Sequence, residues 1–123
     1  MLKRFCLALV FLSQPAYADS LPVAISCYQD STNTKDIDAC MACFVPDAEM
    51  VDVNRTISGA EAIRAWAERE VIPKGDTFRH RRILESDNNF ARAEVNWLTW
   101  VVHYSCWWDD SGRITRMSLQ YAD

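Results

Sequence analysis

The segment Asp36-Ile37-Asp38-Ala39-Cys40-Met41-Ala42-Cys43-Phe44-Val45-Pro46-Asp47-Ala48-Glu49-Met50-Val51-Asp52 constrains this chain more than any other part of it. Ile37, Cys40 or Met41, and Phe44 recur at the three- and four-residue spacing of one apolar helix face. Asp36 and Asp38 supply negative charge where a helix N-terminus favours it. Pro46 denies the α-region to Val45, so the helix has to stop there. A short strand over roughly Ala48 to Val53 follows, with Ala48 and Met50 turned inward. Asp52 ends that alternation as a carboxylate at the edge of an apolar core. It is either a surface residue or a base.

The N-terminus has the composition of an export signal. Lys3 and Arg4 precede an apolar run from Phe5 to Leu12, and Ala16-Tyr17-Ala18 forms a small-residue cleavage site. The run is too short to span a bilayer. Residues 1–18 are therefore read as a signal peptide and 19–123 as one domain, in the periplasm or outside a bacterial cell. Lys3 and Arg4 are the only charges in the signal, so removing it takes the net charge from -4 to -6. Such a balance argues against nucleic acid or an anionic membrane as partner. Four cysteines remain, Cys27, Cys40, Cys43 and Cys106, enough for two disulfides with three possible pairings. Cys40 and Cys43 form a C-x-x-C inside a helix rather than at its N-terminus, and no second such pair or His pair completes a zinc site. Helices one and two should pack together across a short link, making Cys43 or Cys40 the expected partner of Cys27.

Helices come first along the chain and strands last. Ser20-Leu21-Pro22 opens helix one, with Val23, Ala24, Cys27 and Tyr28 as its inner stripe. Ser58-Gly59-Ala60-Glu61 reads as a capping box for helix three, Ala60 to about Val71, with Ile63, Trp66 and Ala67 inward. Pro73-Lys74-Gly75 should end it. Thr77 to Glu85 reads as a strand whose Arg79-His80-Arg81-Arg82 cluster is a solvated face. Phe90 to Trp108 reads as one long strand, apolar on both faces, and Asp109-Asp110-Ser111-Gly112 as a hairpin turn before Arg113 to Tyr121. Two apolar faces would need two covers: the helices on one side and a partner subunit on the other.

This order, and the wording of Asp36-Ile37-Asp38-Ala39, Cys43-Phe44-Val45-Pro46-Asp47-Ala48, Gly59 followed by Ala62-Ile63-Arg64-Ala65-Trp66, and Asp110-Ser111-Gly112-Arg113-Ile114, resembles the NTF2-like superfamily, in particular its SnoaL-like branch. The resemblance covers nearly the whole mature chain. It implies an α+β cone, with N-terminal helices packed on a curved antiparallel sheet around a cavity. Members range from ketosteroid isomerases, cyclases and dehydratases to binding modules, so the fold leaves function open. Carried over from ketosteroid isomerase, Asp52 falls on the general base and Tyr28 on the tyrosine that donates to the oxyanion. Tyr104 falls where that enzyme holds a protonated aspartic acid; a phenol is also neutral at pH 7 and donates one hydrogen bond.

The resemblance thus implies a small, largely apolar ligand and cofactor-free proton transfer, with Asp52 as base and Tyr28 and Tyr104 as donors. The alternative is a non-catalytic ligand-binding or dimerisation module. Asp52 could equally end its strand by bonding the following turn. Trp66, Trp100, Trp108 and Tyr121 are the candidate walls for a flat ligand. His103 neighbours Tyr104 on a strand, so the two face opposite ways. No metal, cofactor, nucleophile elbow or glycine-rich phosphate loop is expected. The partners anticipated are a small molecule and a second copy through the sheet, with no nucleic acid and no membrane in the mature form.

Overall fold

The computed structural model describes residues 20–123; the expected signal over residues 1–18, with Cys6, lies outside the described residues. Helices α1 (Val23–Asn33) and α2 (Ile37–Ala42) precede strands β1 (Phe44–Asp52) and β2 (Arg55–Ser58). Helix α3 (Ala60–Trp66) continues as a π-helical turn, Ala67–Val71, and a 3-10 stretch, Ile72–Thr77. Strands β3 (Arg79–Asp87), β4 (Phe90–Trp97), β5 (Trp100–Trp108) and β6 (Ile114–Tyr121) complete the chain. They form one six-stranded, curved and unclosed sheet in the order β2-β1-β6-β5-β4-β3. Its neighbours are antiparallel except β1 and β6, which run parallel. The architecture is the expected α+β cone. Among the described residues, no helix is long and apolar enough to cross a membrane.

Strand direction gives the sheet two distinct ends. Phe44, Phe90, Trp108 and Ile114 lie at one end; Asp52, Trp97, Trp100 and Tyr121 lie at the other. Between them the inner face presents Met50, Ala91, Ala93, Val95, Tyr104, Cys106 and Met117 to Ile25 and Tyr28 of α1 and Ile63 and Trp66 of α3.

The expected long strand is two strands. Leu98 and Thr99 make a two-residue turn, Trp97 pairs with Trp100, and Leu98 takes φ 55°. A positive φ at the first central position usually calls for Gly or Asn, so Leu98 gives no turn signal. The reversal also changes the side-chain phase. Trp97, Trp100, Val95 and Val102 all share the inner face, while Arg92, Glu94, His103 and Ser105 stand outside. The outer face is mainly polar, which removes the apolar pattern that suggested a partner subunit there. A bulge between His80 and Arg82 turns Arg81 and Arg82 to the same side, where both meet Glu94.

Local signals were partly displaced. Asp36 caps α2, accepting from the Ala39 amide at 3.0 Å. The helix ends at Ala42, earlier than expected, and Pro46 sits in the irregular stretch of β1 where pairing with β6 shifts register. The capping box does not form. Gly59 is the N-cap of α3 at φ 89°, which puts Ser58 one place too early to cap. In α1 Val23 is exposed, Ala24 and Tyr28 are buried and Cys27 half-buried as expected, and Ile25, Gln29 and Thr32 join the buried face. Beyond α3 the chain runs through the π-helical turn and breaks at Lys74 (φ -114°, ψ 19°), within the expected stop Pro73-Lys74-Gly75, before a last turn to Thr77. Gly75 is required there, because a Cβ would lie 2.0 Å from the Thr32 carbonyl oxygen.

Cys27 and Cys43 form a disulfide with Cα atoms 5.9 Å apart, tying α1 to the end of α2. Its presence is compatible with an oxidising compartment. Cys40 and Cys106 are free and buried. Burial pushes the Cys40 thiol up to about 11 and that of Cys106 higher still, so both remain protonated.

Candidate functional site

Between the curved sheet and the helical layer lies a cavity of about 360 Å³ that opens at the Asp52 end. Val71, Phe78, Val95, Trp97, Val102 and Leu119 make its apolar walls, and its volume is that of an ordinary small-molecule site.

Asp52 reaches this cavity because it shares the inner face with Ala48 and Met50, four and two residues earlier on β1. Two donors hold its carboxylate. Trp66 Nε1 donates to Oδ2 at 3.1 Å, and Arg55 donates to the same oxygen. Arg55 is the cross-strand partner of Asp52 across the turn Val53-Asn54. Its guanidinium also grips Glu70 bidentately, at 2.7 Å and 3.1 Å. That fork keeps Glu70 below the usual carboxylate range and joins the β1–β2 hairpin to the π-helical turn. Asp52 is therefore an ion-paired carboxylate at the rim, not a carboxylate in apolar surroundings.

Tyr28 and Tyr104 lie deeper in the cavity, their ring centroids 5.8 Å apart. Burial drives both phenols well above their ordinary pKa, and Asp52 is among the negative charges that push Tyr28 further. Both are neutral donors at physiological pH. The Tyr104 hydroxyl accepts from Gln29 Nε2 at 2.7 Å, and the same nitrogen lies 2.9 Å from His80 Nδ1. His80 is exposed, as expected of its strand, and also touches the site through Gln29. His103 is on the outer face as expected, 2.9 Å from Glu94.

The structure gathers Asp52, Tyr28, Tyr104, Trp66 and Tyr121 around one cavity. Trp100 does not line it, but stacks on Tyr121 at the rim with centroids 5.2 Å apart. Trp108 is removed from the site altogether. It ends β5 at the opposite end of the sheet, because the Leu98-Thr99 turn reverses the chain before it. Trp97 takes the wall position instead. Sequence reasoning missed Arg55, Glu70 and Gln29. Placing the hairpin turn at Val53-Asn54 would have set Arg55 opposite Asp52, and the i, i+3, i+4, i+7 spacing of Ile25, Tyr28, Gln29 and Thr32 marked Gln29 as inward.

No family model matches the chain, and no curated protein matches it in sequence. Solved structures do. A putative polyketide cyclase from Sinorhizobium meliloti is 27% identical with a TM-score of 0.66, over 81% of this chain and 95% of the other. A SnoaL-like protein of unknown function from Burkholderia thailandensis is 14% identical with a TM-score of 0.72, over 85% and 98%. An NTF-2 like protein of unknown function from Burkholderia xenovorans is 17% identical with a TM-score of 0.62, over 81% and 80%.

Proposed function

On this NTF2-like fold of the SnoaL-like kind, we propose that the protein binds a small, largely apolar carbonyl compound in its cone and moves a proton on it without a cofactor. The observation that carries this reading is the placement of the Asp52 carboxylate and two neutral phenols around a single, mostly apolar cavity whose other carboxylate, Glu70, is held by the Arg55 fork. Asp52 takes a proton from the carbon beside the carbonyl, and the electron pair moves onto the carbonyl oxygen. Tyr28 and Tyr104 donate to that oxyanion, and the proton returns to the ligand at the same or another atom. Trp66 and Arg55 orient the carboxylate. Similarity to a putative polyketide cyclase is in keeping with chemistry of this class.

Hydrogen–deuterium exchange into an enolisable aryl ketone in D2O, read by mass spectrometry, tests the step. Wild-type protein should accelerate exchange, and Asp52→Asn should abolish the acceleration while the ketone still binds. Tyr28→Phe and Tyr104→Phe should each lose roughly a hundredfold, the usual effect of one oxyanion donor. Exchange by Asp52→Asn at the wild-type rate would exclude this carboxylate as base.

One observation favours a second reading, a non-catalytic binding module: the Asp52 carboxylate is already engaged by Arg55 and Trp66. Binding of the ketone with no exchange in the wild type would select it. The reading includes export, supported by the composition of residues 1–18 and the Cys27–Cys43 bridge. The mature chain should then begin at Asp19, and an intact Met1 on cytosolic protein would contradict it.

A further inference from the structure

Gln29 is a buried amide that touches two groups through one nitrogen. Its Nε2 lies 2.7 Å from the Tyr104 hydroxyl and 2.9 Å from His80 Nδ1. An amide NH2 has two hydrogens, so it can serve both neighbours if both accept. That arrangement fixes two things. His80 keeps its hydrogen on Nε2. Tyr104, its oxygen already accepting from Gln29, has its own O–H free to turn to the cavity it lines. The amide at neutral pH thereby makes Tyr104 a donor to whatever occupies the cone.

We propose that Gln29 sets the hydrogen-bonding polarity of Tyr104 and that protonation of His80 reverses it. An imidazolium carries hydrogen on both nitrogens, so Nδ1 can no longer face an NH2 group. The amide must turn to present Oε1. The same oxygen then faces the Tyr104 hydroxyl, which gives its hydrogen to Gln29 and offers only lone pairs to the cavity. A ligand carbonyl accepted by Tyr104 at neutral pH is then confronted by lone pairs in acid. Gln29 is a positioning residue here, since it reaches a ligand only through Tyr104.

The surroundings of His80 leave its protonation to solvent and to this contact. Gln29 reaches it from α1, and the uncharged Val95 is its cross-strand partner on β4. Of the arginines flanking it on β3, Arg81 and Arg82 are engaged by Glu94 on the outer face, and Arg79 pairs in register with Asn96. No ion pair to His80 exists among the described residues. Partial burial holds its pKa below the ordinary imidazole value, so the reversal belongs below about pH 6.5.

The inference rests on Tyr104 facing a ligand, but it is tested without one. In full-length labelled protein, the Tyr104 Cζ and His80 Cε1 resonances are followed by NMR through the imidazole titration. Tyr104 Cζ should move with the same midpoint as His80. In Gln29→Leu, His80 should still titrate while Tyr104 Cζ stays flat; in His80→Asn, a change at a partly exposed edge-strand position, Tyr104 Cζ should also stay flat. A Tyr104 signal that ignores the His80 titration in the wild type would overturn the proposal. So would one that keeps its midpoint in His80→Asn. Neither result bears on ketone exchange at neutral pH, and failure of that exchange leaves this coupling standing.

Discussion

The two ends of the sheet are turned by hairpins of opposite character. At the closed end, Asp109 accepts from the Ser111 and Arg113 amides and from the Ser111 hydroxyl, and Gly112 takes φ 85°. Each residue suits the backbone it adopts. At the cavity end, Val53 and Leu98 occupy φ 60° and 55°, where a branched or bulky side chain is strained. Both are exposed, beside the exposed Trp100 and Tyr121. The disulfide and the apolar pair Phe44 and Ile114 belong to the closed end; the ion-paired Asp52, Arg55 and Glu70 belong to the mouth. The covalent cross-link and the turn residues that suit their backbone gather at one end; the strained turn residues and the ion pairs gather at the other.

The largest way to break this contrast is through the disulfide. Cys27→Ser should lower unfolding free energy by about 3 kcal/mol, the chain-entropy effect of closing a loop of 16 residues. Urea unfolding with and without reductant checks it, and a midpoint unmoved by reductant would place the stability elsewhere.

Exchanging turn chemistry sharpens the same contrast with opposite signs. Leu98→Gly should stabilise by up to about 1 kcal/mol, because it relieves a left-handed conformation at a half-exposed side chain. Gly112→Ala should destabilise by about 1 kcal/mol through its positive φ alone, since the nearest neighbour of an added Cβ is a Val23 methyl at 3.8 Å. Equal signs in thermal unfolding would mean that the two ends do not differ in strain.

The smallest effect concerns the outer face midway between the ends. Hydrogen bonds from His103 and then Arg81 hold the Glu94 carboxyl down at about 2. A folded pKa below the unfolded one stabilises fully above the ordinary carboxylate range, and that contribution is lost as pH falls toward about 2. Glu94→Gln should therefore flatten the acid limb of the stability profile while leaving ketone binding unchanged. An unaltered acid limb would show that the cluster contributes nothing to folding.

The same two ends differ in how far they can be read from sequence. Asp109-Asp110-Ser111-Gly112 carries its turn in its residue types, and the α2 start at Asp36 and the inward Ala48 and Met50 follow from capping and alternation. Leu98-Thr99 carries no such signal, so Phe90 to Trp108 reads as one strand and Trp97 is set on the face opposite Trp100. Trp108 is then assigned to the cavity and Trp97 omitted. The turn is imposed by pairing on both sides and by the Leu98 amide donating to Thr77 Oγ1 at 3.2 Å, which are tertiary facts. That Asp52, Tyr28 and Tyr104 line one cavity was legible through resemblance to a family. Arg55 and Glu70 were not, because their roles depend on register and on a π-helical turn that no short pattern announces; the spacing of α1 marks Gln29 as inward, but its contacts with Tyr104 and His80 are tertiary.

The five tryptophans report on both ends at once. Titration of the full-length protein with a small aryl ketone, followed through the indole N–H resonances, tests the assignment of the cavity end most directly. Trp66 and Trp97 should shift together with one affinity, Trp100 less, and Trp107 and Trp108 not at all. Shifts centred on Trp108, or no shift at Trp66 and Trp97 at saturation, would contradict the account.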